Sequence, residues 1–235
     1  MLYLARRLEE RGVRPCLLNP AHLRWRAGGF DAACDWDRAP LDVLFRFLPA
    51  EWLPQLLPAA TWHRLCSAGR TLLCNPGHAI LTQSKRFPLV WDRLETPLPT
   101  WKALLPETRS PAEVPDLERG HWVLKPALGH EGHNVRLRAI TAPADWQHLI
   151  RSVRKHPDGW AAQRCFDPVP LPTPEGLLYP CLGIYVIDGR VAGCYGRLAS
   201  QPLIDDRSRE VAVLVRAAAT TPPSESSAHE SRSDL

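Results

Sequence analysis

No stretch of the 235-residue chain approaches the ~20 consecutive apolar residues that a membrane-spanning helix requires, so no membrane partner is expected. The opening "MLYLARRLEERG" has charges where a secretory leader would have an apolar centre, so no signal peptide is expected either. The seven cysteines, at 16, 34, 66, 74, 165, 181 and 194, contain no C-x-x-C pair, and their number is odd. Cys74 in "TLLCNP" and Cys194 in "VAGCYGR" have apolar neighbours, and reduced, buried thiols in a cytoplasmic protein are the expectation. There is no block of lysine or arginine: the net charge of +4 is spread along the chain. It serves solubility and slightly favours an anionic ligand, and no nucleic-acid partner is expected. A phosphate loop of the form G-x-x-x-x-G-K-[ST] is also lacking.

What is present reads as two segments and a tail. Residues 1–75 read as an α/β segment: an amphipathic helix over 2–11 with Leu2, Leu4, Ala5 and Leu8 on its apolar face, closed by Gly12. Strands follow at 14–20, 41–49 and 71–77, with a helix from Pro49 through "AEWLPQLL" that Pro54 kinks or ends. Residues 76–216 read as a strand-rich α+β segment. Ser84 caps a helix through "KRFPLVWDRLE", and Pro88 falls in its first turn, where backbone N–H groups lack partners anyway. A long connection over 96–120 leads to strand, loop and strand over 121–139. A helix over 143–156 carries Trp146, Leu149, Ile150 and Val153 on one side. Strands follow at 160–166 and 210–215, with a hairpin over 181–199 between them turning at Asp188-Gly189. The polar tail, 217–235, is expected to be disordered.

The stretch "HWVLKPALGHEGHNVRLRA" holds the first candidate site. Val123 and Lys125 alternate with Trp122 and Leu124 on opposite faces of a regular strand. The loop after Lys125 could offer backbone N–H groups to phosphate oxygens, with the lysine as counter-charge. Spacing alone favours a plain surface hairpin with an incidental lysine, because two glycines are weak evidence. His130 and His133 lack a third metal ligand and read as solvated. Cys165 reads as core rather than nucleophile. Gln163 could face an adenine edge or pair with backbone, and Arg197 could hold an anion or lie on the surface. Lys85 and Arg86 at a helix start oppose the helix dipole, a conflict an anion would remove.

Four segments in this order, "NPGHAILTQSKRFPLVWDRL", "HWVLKPALGHEGHNV", "WAAQRCFDPVPL" and "YPCLGIYVIDGRVAGCYGRLASQPLID", resemble the glutathionylspermidine synthase family of the ATP-grasp superfamily. The resemblance covers about residues 1–215. It implies a partial pre-ATP-grasp segment followed by an ATP-grasp domain with mainly antiparallel sheets. It also implies an ATP-dependent carboxylate–amine ligase that forms an amide through an acyl phosphate, with ATP and Mg2+ as cofactors and small carboxylate and amine substrates. Carried over residue by residue, Lys85 and Lys125 match the nucleotide lysines. Gly129, His130, Glu131, Gly132 and Asn134 match the lid over the phosphates. Gln163 matches the strand that meets adenine, Leu203 and Ile204 the apolar floor under the base, and Arg197 the arginine near the acyl phosphate.

The chain departs from the family's pattern in one respect. The two acidic residues and an asparagine that bind magnesium have no counterpart here, since no E-x-N or D-x-N occurs. Asp31, Asp35 and Asp37 form an acidic cluster without that asparagine and read as solvated. The chain also opens on a helix where an α/β unit usually opens on a strand. The expectation is therefore that an N-terminal segment is supplied elsewhere, by another polypeptide if at all, and that the catalytic centre here is incomplete. The alternative is a non-catalytic nucleotide-binding or partner-binding module.

Overall fold

The chain begins with α1 (Leu2–Glu9), which ends as expected: the Gly12 N–H donates to the Glu9 carbonyl, with φ +76° at Gly12. The computed structural model describes residues 1–34, 38–56, 62–67 and 69–215. α1 buries none of its side chains, so its apolar stripe faces solvent. The strand expected at 14–20 does not form. Asn19 instead accepts from the Ala21 N–H at 2.9 Å and caps a 3-10 turn, Pro20–His22. A hairpin follows that the sequence did not announce: β1 (Leu23–Arg26) and β2 (Gly29–Ala32) turn on Ala27 and Gly28, both with positive φ. The mirror-image turn needs two left-handed residues, and Ala-Gly is a poor signal for it beside Asn-Gly or Asp-Gly.

β3 (Val43–Phe45) and β4 (Leu72–Cys74) pair in parallel, each shorter than the run that suggested it. Thr71 ties this pair to the hairpin. Its buried hydroxyl accepts from the Phe30 N–H and donates to the Leu41 carbonyl, both at 2.8 Å. Behind it lies a core of Leu23, Phe30, Ala50, Leu53 and Leu65. Ala50 and Leu53 come from the 3-10 turn Ala50–Trp52 and the short α2 (Leu53–Leu56) that continues it.

α3 (Ile80–Gln83) leads to a 3-10 helix, Phe87–Arg93, in place of the α-helix expected from Ser84. Pro88 sits in its first turn as expected, but Arg86, not Ser84, is the cap residue. The Arg86 guanidinium reaches the carbonyls of Pro157 and Trp160 and the carboxylate of Asp158. These long-range bonds fix the entry to the segment and outweigh its weak helical propensity. The supposed connection over 96–120 contains structure of its own: α4 (Pro99–Leu104), started by Pro99, then β5 (Thr108–Arg109) and a 3-10 turn, Pro111–Glu113.

β6 (Trp122–Pro126), β7 (Arg136–Leu137), α5 (Pro143–Lys155) and β8 (Trp160–Arg164) complete the next layer. The sheet runs β5-β8-β6-β7, all antiparallel. α5 lies on one face with Trp146, Ile150 and Val153 buried against Trp122, Leu124 and Ala162, with Leu149 packed beside them, as its spacing predicted. The opposite face presents Thr108, Lys125, Ala161 and Gln163. Registers Lys125↔Ala161 and Thr108↔Gln163↔Val123 put these side chains on one side.

Everything so far belongs to one compact unit, Met1–Asp167; a second begins at Pro168. The second unit is an antiparallel sheet in the order β12-β11-β10-β9, formed by β9 (Leu171–Thr173), β10 (Gly176–Ile187), β11 (Arg190–Ala199) and β12 (Arg209–Val211). The β10–β11 hairpin turns at Asp188 and Gly189, both with positive φ, as expected. β9 was missed because its proline-rich sequence argues against a strand; it pairs on one side only, where proline is tolerated. The tail 217–235 lies outside the described residues.

The cysteines correct another expectation. Only Cys34 is buried; Cys66, in the 3-10 turn His63–Cys66, is exposed, and so are Cys74 and Cys181, because small sheets covered on one side cannot bury both faces of their strands. Among the described residues no helix is long and apolar enough to cross a membrane.

Candidate functional site

The bare face of the β5–β8–β6 sheet forms one wall of a cavity of about 500 Å³. The segment 82–105 forms the other, with Phe87, Trp91, Leu94, Leu98, Trp101 and Leu105. Lys125 and Gln163 project from the strands and Lys85 from the loop before Phe87. A largely apolar cleft with a few convergent polar groups is what small-molecule sites are made of. Three residues singled out in the sequence, 38 to 78 positions apart, thus share one cavity.

The polar end is built stepwise. The buried Gln163 amide donates to the Thr108 hydroxyl at 2.9 Å, which fixes the flip of its oxygen. That oxygen accepts from the Lys125 ammonium at 2.5 Å. So Gln163 pairs with a side chain, where the sequence offered only adenine or backbone. Among the described residues Lys125 faces a neutral oxygen and no carboxylate. Burial pulls its pKa below the ordinary value, and the like charge of Lys85 adds to this, while Cys165 opposes it. Lys85 is also lowered by burial, with Glu51 pulling the other way. Two half-buried cations on one cleft, one of them depressed by the other, form a site for an anion.

The sign of the pH dependence follows. The folded chain gives up the Lys125 proton more readily than the unfolded chain, whose value is near 10.5. In the range just below that value the unfolded state binds more protons, so stability rises with pH there. The urea midpoint of the wild type is expected to climb through that range relative to Lys125→Met, and parallel curves would remove the charged, buried Lys125 from the account.

The glycine loop leaves β6 at this end. The Lys85 ammonium donates to the Gly129 carbonyl, and the Lys85 N–H to the Ala127 carbonyl at 2.8 Å. Gly129, Glu131, Gly132 and Asn134 all have positive φ. For Glu131 and Asn134 this is a conformation that side chains rarely adopt, and such backbone persists where surroundings impose it. His130 is not simply solvated: its Nδ1 lies 3.8 Å from the Glu51 carboxylate and its ring meets Trp52 edge-on at 5.5 Å. The helix-dipole conflict at Lys85 and Arg86 disappears, since the α-helix is absent and Arg86 is held by carbonyls. Burial and Asp167 push the half-buried Cys165 thiol up, so it is a poor nucleophile at neutral pH.

The remaining candidates belong to the second unit. Arg197, on β11, pairs with Glu210 of β12 at 3.2 Å and lies beside the Tyr195 ring. Leu203 and Ile204 are half-buried in the turn after β11. That turn is fixed by Asp205, which accepts from the Arg207 backbone and side chain. Arg207 holds the Asp205 carboxyl below its usual range. Asp31 forms an ion pair with Arg70 at 3.1 Å and is not the solvated group expected; Asp35 and Asp37 lie outside the described residues. Among the described residues no three His, Cys, Asp or Glu side chains gather as metal ligands. Sequence reasoning missed Glu51, Thr108 and the aromatic wall, which carry no motif and reach the site only by folding.

A family model described as glutathionylspermidine synthase preATP-grasp matches residues 1–216. A protein of Haemophilus influenzae described as "Putative acid--amine ligase" is 28% identical over 162 residues. That match takes in 68% of this chain and 38% of the relative, so the chain spans well under half of the relative's length.

Proposed function

The chain belongs to the glutathionylspermidine synthase preATP-grasp family, and from that premise we propose that it is the nucleotide-handling portion of an ATP-dependent carboxylate–amine ligase. In this reading residues 76–216 are an ATP-grasp-like region and 1–75 a partial pre-ATP-grasp segment. The observation that carries the reading is the meeting of Lys85, Lys125 and Gln163 in one cleft, with no carboxylate on Lys125 among the described residues. ATP supplies the phosphoryl group that activates a carboxylate for attack by an amine. Lys85 and Lys125 neutralise phosphate charge, and the loop with Gly129, His130, Glu131, Gly132 and Asn134 covers it. The strand that carries Gln163 meets the base. Leu203, Ile204 and Arg197 belong to the second unit, and the roles proposed for them, an apolar floor for a base and an arginine for an acyl phosphate, rest on the family resemblance alone. Among the described residues no three His, Cys, Asp or Glu side chains gather, so they do not fit a magnesium site.

The test is calorimetric titration of the purified chain with ATP, with and without magnesium. Micromolar binding without magnesium is expected, and its absence at millimolar ATP would sink the proposal. Binding that tightens strongly with magnesium would show a metal-binding residue in this chain. Binding of ATP without amide formation when a carboxylate and an amine are supplied favours the second reading, a nucleotide-binding module without ligase activity.

A further inference from the structure

Glu51 lies far from the loop in sequence yet reaches it in the fold. It sits in the Ala50–Trp52 turn with its side chain 14% exposed. Both carboxylate oxygens accept from the Gln83 amide nitrogen, at 3.0 and 2.9 Å, which fixes the carboxylate's orientation. On its open side stands His130, whose ring is flanked by Trp52. The residue before His130 is Gly129, whose carbonyl accepts from Lys85. Glu51 also acts electrostatically on Lys85, favouring its charged form against the effect of burial. One carboxylate therefore bears on both the loop and the lysine beside it, and nothing in the phosphate-binding reading has used it.

We propose that Glu51, oriented by Gln83, is a positioning residue that holds loop 127–134 through His130, and with it the Gly129 carbonyl to which Lys85 donates, presetting the loop for a polyphosphate. This rests on the nucleotide reading above. A loop fixed before the ligand arrives loses less conformational freedom on binding, so affinity is gained for the part of the ligand the loop touches. The effect belongs to phosphate, not to the base, because Lys85 and the loop serve the charged end, while Glu51 is not among the residues that line the cavity with its aromatic wall.

The test uses the whole chain and its Glu51→Gln and His130→Ala variants. Hydrogen exchange of peptides spanning 127–134 is expected to quicken about tenfold in both, as for an opening free energy lowered by roughly 1.4 kcal/mol. Exchange in α5 and the melting temperature should stay as in the wild type. ATP should bind several-fold more weakly to Glu51→Gln, and adenosine equally to variant and wild type. Unchanged loop exchange overturns the assignment whatever the nucleotide does. Equal loss of ATP and adenosine also overturns it, since that marks general damage to the cavity. Failure of the wild type itself to bind ATP overturns the nucleotide reading, and the loop's role toward phosphate with it; the exchange data then report separately on the Glu51–His130 contact.

Discussion

Replacing Lys125 by alanine is expected to weaken ATP binding by about 1–3 kcal/mol, roughly five- to 150-fold in affinity, the usual cost of losing a charged hydrogen bond. Lys125 is rooted in β6, where Leu124 and Val123 are buried on either side of the strand, so its stem is rigidly placed. Among the described residues its hydrogen-bond partner is the neutral oxygen of Gln163, so phosphate adds an interaction and takes no ion pair apart. The depressed pKa points the same way: the ammonium is under-compensated in the cleft, and an anion restores what burial and Lys85 removed. Lys85→Ala is expected to have a smaller effect, because Lys85 already donates to Gly129 and must share or exchange that bond. Titrations of both variants against the wild type at one salt concentration check the order. ATP affinity unchanged in Lys125→Ala would take the lysine out of the site.

Trp146→Ala destabilises the first unit by about 3–5 kcal/mol, the range for truncating a large buried aromatic side chain. Trp146 is 2% exposed, at the centre of the contact between α5 and the β5–β8–β6–β7 sheet. Its indole N–H donates to the Glu118 carbonyl at 3.3 Å, so truncation also leaves that oxygen without this donor. Because α5 covers the back of the sheet whose front carries Lys125 and Gln163, loss of the layer should loosen the cavity as well. The urea midpoint should fall steeply, with ATP affinity falling before global unfolding. Leu149→Ala, at the margin of the same core, should cost much less. A midpoint shift for Trp146→Ala no larger than for Leu149→Ala would refute the placement of the core.

The parts of the fold that were legible in the sequence are those with a strong local signal. The helix over Pro143–Lys155 showed itself by its apolar spacing, and β6 and β8 by alternation and β-branched or aromatic content. The β10–β11 turn was readable because Asp-Gly suits two left-handed residues, whereas the β1–β2 turn, built on Ala-Gly, was not. The helix read from Ser84 failed for the opposite reason. Its local signal was real, but Arg86 found carbonyls 70 residues away, and tertiary bonds outweigh a propensity of a few tenths of a kcal/mol per residue.

For the site, the sequence by itself determined which residue types were available: two isolated lysines, a glycine loop after a strand, a glutamine on a later strand. It could not determine that Lys125 and Gln163 would lie on the same face of adjacent strands, since register depends on pairings across nearly 40 residues. Nor could it show that, among the described residues, Lys125 would face no carboxylate, that Arg197 would have one in Glu210, or that Glu51 would come to rest against the loop. Those outcomes belong to the tertiary structure because charge and burial act through space: a side chain's chemistry is set by what packing places within a few ångströms of it, and the order of the chain alone does not specify that.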